Sequence, residues 1–282
     1  MKNHAETEDQ EEFQRACYLI LNHNTCQKPP TALESLDEGS IHDYRVSLRT
    51  LRSHLRTFAP VLRSRPTRIL AEDLRMWDEH VPQIRNCDVM ENLLLHSFPD
   101  DNLLSVLEIS ERIALFRAES CRQIMQLQQP RQSAEMTTFL QVYLSNPPVR
   151  KICESRNPSW KSFLVRLSLE NQRDLLELAK LAVRTRNPER LHKLRICAKR
   201  YRYQYEALDL IGVKTNPLMY GIAKEIQHHI GLLQDVRMLS NWVSNESSPT
   251  MSETRQSLSN DVVSQNYLTL QAIERILKRK TG

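Results

Sequence analysis

The sequence predicts an all-α fold, and three observations predict it. Glycine is scarce: five in 282 residues, against a usual share of about 7%, too few to turn the strands of an all-β or dinucleotide-binding fold. Thirteen prolines punctuate the chain instead, separating long amphipathic runs as prolines do at helix starts and connections. Finally, one helical pattern occurs twice. His42, Arg45, Arg49 and Arg52 pair with His192, Arg195, Lys199 and Arg202, each pair 150 residues apart. The repeat argues for two similar halves, about 8–130 and 158–280, packed as one unit.

Taken in order, a first helix is expected over about 8–23, with Phe13, Cys17, Leu19 and Ile20 as its buried side. Ser40 is the expected N-cap of the first basic helix, which should end near Pro60. At about 100° per residue, Arg45, Arg49, Arg52 and Arg56 share an arc of roughly 80° that begins at His42. Ile41, Tyr44, Leu48, Leu51, Leu55 and Phe58 cluster on the opposite side, so one face can be buried while the other presents four guanidiniums and an imidazole. Helix should resume over 67–80, with Pro82 marking a kink or break. A long helix over about 100–128 should close the first half, with Gln126 to Gln132 a polar connector. Residues 133–155 are expected to form a helical pair interrupted by Asn146-Pro147-Pro148. Trp160 opens a helix to about Arg186, and Asn187-Pro188 starts the second basic helix. There His192, Arg195, Lys199 and Arg202 share an arc that Tyr203 joins at its edge, while Leu191, Leu194, Ala198, Tyr201, Tyr205 and Leu208 face away. Residues 217–245 should match 67–95 in arrangement, with Lys224 paired to Arg75 and His229 to His80 at an offset of 149. A last helix is expected over 251–279.

Charge is arranged unevenly for a net of +5. From His42 to Arg68 seven arginines face one acid, Asp43; from Arg184 to Arg202 eight Lys or Arg face only Glu189. Surface helices usually intersperse signs so that i,i+4 pairs offset each other. Here like charges stack with no acidic partner in the segment, an arrangement that destabilises the empty protein and favours an anionic ligand. His42 and His192 could be ordinary interior polar residues, but their equivalent positions at the head of two basic stripes favour a binding role.

Other classes are disfavoured. None of the six cysteines has a Cys-x-x-Cys spacing; Cys17, Cys87, Cys153 and Cys197 sit in apolar-periodic segments and read as reduced core residues. No His-Glu-x-x-His or clustered carboxylate pattern supports a metal, and no cofactor is expected. The acidic N-terminus is unlike a secretory signal, and no run of about 18 apolar residues occurs, so a cytoplasmic protein is expected.

These residues resemble a known family, the CHAD (conserved histidine α-helical domain) family. His192-x-x-Arg195-Ile196-x-x-Lys199-Arg200-x-Arg202-Tyr203-x-x-Glu206 is similar to its second signature helix, whereas the first copy has Thr50 where the family usually repeats an arginine. Ile230-Gly231-Leu232-Leu233-Gln234-Asp235-Val236 resembles the family's Leu-Gly-x-Leu-Gln-Asp turn, and Val81 to Val89 its Leu-Gly-x-x-Arg-Asp-x-Asp-Val turn, with Pro82 replacing the glycine and Asn86 the first aspartate. The resemblance implies two related helical bundles with basic helices lining a central cavity, and non-catalytic binding of inorganic polyphosphate, including recruitment to polyphosphate granules.

Polyphosphate suits the residue types. It is a flexible polyanion without bases, so recognition rests on charge and bidentate hydrogen bonding, which the arginine fork provides. His42, Arg45, Arg49, Arg52, Arg56, His192, Arg195, Lys199, Arg200, Arg202 and Tyr203 are the candidate ligands, joined by Arg75 and Lys224. Nucleic acid is the alternative, since a basic channel attracts any phosphate backbone; the stripes, however, interleave few aromatics for base stacking. A metal-dependent phosphohydrolase fits less well, because the sequence carries no P-loop, no metal-binding carboxylate set and no triphosphate-tunnel strand.

Overall fold

A computed structural model describes residues 2–23, 37–59, 62, 64–77, 81–97, 103–127, 130–148, 160–246, 248 and 251–281. Ten helices form among them: α1 (Lys2–His23), α2 (Glu38–Phe58), α3 (Ser64–Trp77), α4 (Val81–Ser97), α5 (Leu103–Leu127), α6 (Pro130–Ser145), α7 (Trp160–Thr185), α8 (Pro188–Leu210), α9 (Pro217–Ser244) and α10 (Ser252–Thr281). No strand occurs among the described residues, so the predicted all-α class holds. His80, Cys153, the side chain of Arg63 and the helix expected beyond Pro148 lie outside the described residues.

Several expected boundaries shift for local reasons. Asp37, not Ser40, caps α2: its carboxylate accepts the Ser40 backbone N–H at 2.9 Å, and this interaction, with the serine hydroxyl, holds the Asp37 carboxyl below its ordinary range. Gln126 to Gln132 is mostly helix, because α5 runs to Leu127 and α6 begins at Pro130. Leu19 is exposed and Leu21 is buried in its place. Ile230 to Val236 is no turn but the middle of α9, where Ile230 and Leu233 are both fully buried at helical spacing. Val81 to Val89 likewise lies within α4.

The match of 67–95 to 217–245 is therefore incomplete: the first stretch is split between α3 and α4, and the second is one 28-residue helix. Pro82 explains the split. A proline ring inside a helix removes a hydrogen bond and clashes with the preceding turn, so Pro82 falls in the first turn of α4, where its missing N–H leaves nothing unsatisfied. Gly231, at the equivalent place, imposes no such break.

The chain divides into two compact units, each drawing on both halves of the sequence. Unit one is Met1–Pro82, Ile124–Asn171 and Arg200–Pro217; unit two is Gln83–Gln123, Gln172–Lys199 and Leu218–Gly282. In unit one α1 packs on α2 and α6. Phe13 meets the ring of Trp160 at 5.4 Å, Asn22 donates to the Leu144 carbonyl at 2.9 Å, and the Thr67 and Tyr143 hydroxyls bond at 2.7 Å. Burial pushes the Cys17 thiol up to about 12, so it is an inert core residue, as the sequence implies.

Unit two is cored by Cys87, Met90 and Leu94 of α4, Val106, Ile109 and Ile113 of α5, Leu239 and Val243 of α9, and Met251 and Leu258 at α10. Burial lifts the Cys87 thiol to about 11. Arg255 donates to the carbonyls of Val243 at 3.2 Å and Ser248 at 2.9 Å, supplying partners for acceptors at and beyond the end of α9 that the helix itself cannot satisfy. Arg112 adds ion pairs to Glu108 and Glu246 on the same rim.

Candidate functional site

In unit one, α2 divides as its periodicity predicts. Ile41, Tyr44, Leu48, Leu51, Leu55 and Phe58 are buried; His42 and Arg56 are exposed, and Arg45, Arg49 and Arg52 are half-buried, with the Arg45 Nε itself out of solvent. Thr50 is 3% exposed, so the position of the missing arginine faces the core. His54 is buried on that side too. Arg75 is exposed in the last turn of α3, where a cation also complements the helix dipole.

The C-terminal part of α8 contributes Arg200, Arg202 and Tyr203 to unit one. The Arg202 guanidinium lies 4.7 Å over the Tyr203 ring, with its Nε 3.3 Å from a Glu206 oxygen. Tyr203 is only 5% exposed. It is a platform that holds Arg202, not a surface donor, because its position at the edge of the basic arc turns it toward the core. Tyr201 is buried as expected, and burial pushes its phenol up. Asn171 donates to the buried Gln204 at 2.6 Å.

In unit two, Asn187 caps α8 by accepting the Glu189 backbone N–H at 2.7 Å, with Pro188 in the first turn. One helical face of α8 then carries His192, exposed, and Arg195 and Lys199, half-buried. The expectation that these cations have no acidic partner is corrected here. Asp235 of α9 lies in the field of Arg195, Arg85 and Lys199; burial nevertheless outweighs their pull and raises its carboxyl above the ordinary range. Arg85 also pairs with the buried Asp88 at 4.0 Å, and Asp88 in turn with Arg117 at 2.8 Å, so two carboxylates stand among four cations and a positive surplus remains. The sequence hides this pairing because Asp235 is distant in the chain.

Lys224 is exposed on α9, 5.7 Å over the Tyr220 ring. His229 is drawn below its ordinary value by burial and by His228, whose ring is 5.4 Å away. No group of three His, Cys, Asp or Glu side chains is placed to hold a metal among the described residues. Beside His192 the helices of unit two surround a cleft of about 600 Å³ that includes Gln234 and Arg237. Arg237, Asn241 and Asn245 were not singled out by the sequence, because they belong to no charge run and to no family motif.

No helix among the described residues is long and apolar enough to cross a membrane. Comparison with curated proteins found no match. The fold is similar to the crystal structure of the CHAD domain from the plant Ricinus communis, at 20% identity over 93% of this chain and 88% of that one, with a TM-score of 0.59. It is also similar to PptA from Streptomyces chartreusis, at 12% identity over 96% and 98%, with a TM-score of 0.68. At these identities the likeness is one of fold. The family model for the CHAD domain, however, matches residues 21–244, a span holding α2, α8 and α9 with the whole set of paired basic residues, and on that match this chain belongs to the CHAD domain family.

Proposed function

We propose that this CHAD domain binds inorganic polyphosphate through the basic faces of α2 and α8, without hydrolysing it, and that binding recruits the protein to polyphosphate granules. The observation that carries the reading is the division of α2: a largely apolar face is buried while His42, Arg45, Arg49, Arg52 and Arg56 stand on the other side. From His42 to Arg56 the helix advances roughly 21 Å at about 1.5 Å per residue, enough to follow several phosphates. Arginine forks each meet two phosphate oxygens and stay charged at any working pH. On α8, His192, Arg195 and Lys199 repeat the pattern.

The test offers long-chain polyphosphate, single-stranded DNA and RNA in competition at physiological salt. Polyphosphate should win clearly; equal or stronger retention of either nucleic acid overturns the assignment in favour of nucleic-acid binding. Incubation of the same protein with polyphosphate and Mg²⁺, Mn²⁺ or Zn²⁺ should release no phosphate. Turnover that disappears on changing His42 or His192 makes the protein an enzyme instead.

A further inference from the structure

The cleft beside His192 has a lining that a phosphate chain cannot fully use. It lies wholly within unit two, and its volume of about 600 Å³ falls in the range of roughly 300–1,000 Å³ usual for small-molecule sites. Five side-chain amides line it: Gln83 and Asn86 from α4, Gln234 and Asn241 from α9, and Asn245 in the turn directly after α9. Gln234, Met238, Asn241 and Asn245 recur every three to four residues, and the Asn245 N–H still bonds the Asn241 carbonyl at 3.2 Å, which keeps all four on one helical face. Each amide offers both a donor and an acceptor. Polyphosphate presents acceptors alone, so half of this capacity would go unmatched. The edge of a nucleobase alternates donors and acceptors, and Asn and Gln pair with such edges in bidentate fashion.

The remaining lining supports the same class of ligand. Trp242 and Phe116 supply aromatic surface, with Phe116 43% exposed, and Met90 and Met238 supply thioethers; a planar base gains from contact with both. Among the described residues lining the cleft none is acidic, while Arg237 and His192 are basic or ionisable. His192 also heads the α8 face that continues to Arg195 and Lys199.

We propose that this cleft binds nucleoside phosphates, the base lodging among the amides and the aromatic rings and the phosphates running past His192 onto α8. The assignment goes beyond polyphosphate binding and shares with it the α8 residues His192, Arg195 and Lys199, together with Gln234, which bonds the His192 ring.

Titration calorimetry on the full chain with ATP, GTP, adenosine and inorganic tripolyphosphate tests it, read beside long-chain polyphosphate. ATP or GTP should bind about tenfold or more tightly than tripolyphosphate, as two or more added hydrogen bonds and a stacking interaction allow. Adenosine alone should bind weakly. Asn241→Ala with Asn245→Ala, at two exposed positions, should bring the nucleotide down to the tripolyphosphate level and leave long-chain polyphosphate unchanged. If tripolyphosphate equals or exceeds both nucleotides, the nucleotide assignment falls while polyphosphate binding stands on its own measurement. If a nucleotide is preferred and long-chain polyphosphate is not bound, it is the polyphosphate reading that falls. Loss of long-chain polyphosphate binding in the double variant, or no loss of nucleotide binding, also overturns the proposed cleft.

Discussion

The side-chain amide nitrogen of Gln234 on α9 lies 3.2 Å from Nδ1 of His192 on α8. With the amide donating, Nδ1 is the acceptor and Nε2 carries the proton of the neutral ring, so Gln234 sets which nitrogen of His192 can donate to an anion. Gln234 is then a positioning residue. Gln234→Leu should weaken polyphosphate binding several-fold, in keeping with the loss of one ordinary hydrogen bond, yet leave the salt dependence of affinity unchanged because no charge is removed. A flattened salt slope, or no loss of affinity, contradicts this role.

The two basic helices should respond differently to neutralisation. Arg49→Ala with Arg52→Ala removes neighbouring like charges from α2 and should weaken binding by about 1.5–3 kcal/mol for each charge-assisted hydrogen bond to phosphate that disappears. It should also flatten the salt slope in step with the charges removed. In the apo protein, relief of like-charge repulsion should offset part of what is lost with the contacts of Arg52, so the melting temperature should change little. On α8, Lys199→Ala with Arg202→Ala should weaken binding similarly but lower the apo melting temperature, because Lys199 helps to compensate Asp235 and Arg202 pairs with Glu206 and Tyr203. Thermal melts with and without polyphosphate separate the two effects. Full affinity after either double change would sink the binding role of that helix.

Asp235 makes a pH prediction whose sign follows from its raised carboxyl. The folded protein binds this proton more tightly than the unfolded chain does. The stability so contributed is present below the ordinary carboxyl value of 3.8 and is lost as pH rises through the folded value. Asp235→Asn should flatten that part of the stability curve, the fall in stability as pH rises above the ordinary carboxyl value, in urea melts. Near neutral pH it should also strengthen polyphosphate binding roughly threefold to tenfold, since a competing anion leaves the field of Arg195, Arg85 and Lys199. Weaker binding would mean that the carboxylate's main effect is to hold those cations in place.

Arg186 is the one non-glycine residue at positive φ among the described residues, at 51°. It ends α7 with its N–H on the Ala182 carbonyl at 2.8 Å, a left-handed cap that glycine adopts without the Cβ penalty. The end of α8 shows the usual solution. Gly212 there has φ of 70°, and the Val213 and Gly212 N–H groups return to Leu208 and Asp209 at 2.9 and 3.0 Å, both bonds of a Schellman motif. Arg186→Gly should therefore stabilise the protein by about 0.5–1 kcal/mol in urea unfolding. A destabilised variant would show that the arginine side chain matters more than its backbone.

What the sequence by itself determined is whatever depends on near neighbours. Helix-period apolar residues and few glycines make the described chain all-helical, and the three- and four-residue spacing of Arg45, Arg49, Arg52 and Arg56 sets them opposite the face of α2 that is buried. Proline positions marked the starts of α8 and α9 for the same local reason: a missing N–H is harmless in a first turn. Tertiary structure decided what depends on residues far apart in the chain. Asp235 becomes a half-buried counter-ion for Arg195 and Arg85 only when α4, α8 and α9 pack together, and Tyr203 leaves the basic arc because the core claims its ring. The cleft of amides beside His192 is the clearest case. Asn241 and Asn245 look like ordinary surface residues in the sequence, and it is the packing of the neighbouring helices that makes them part of a common space.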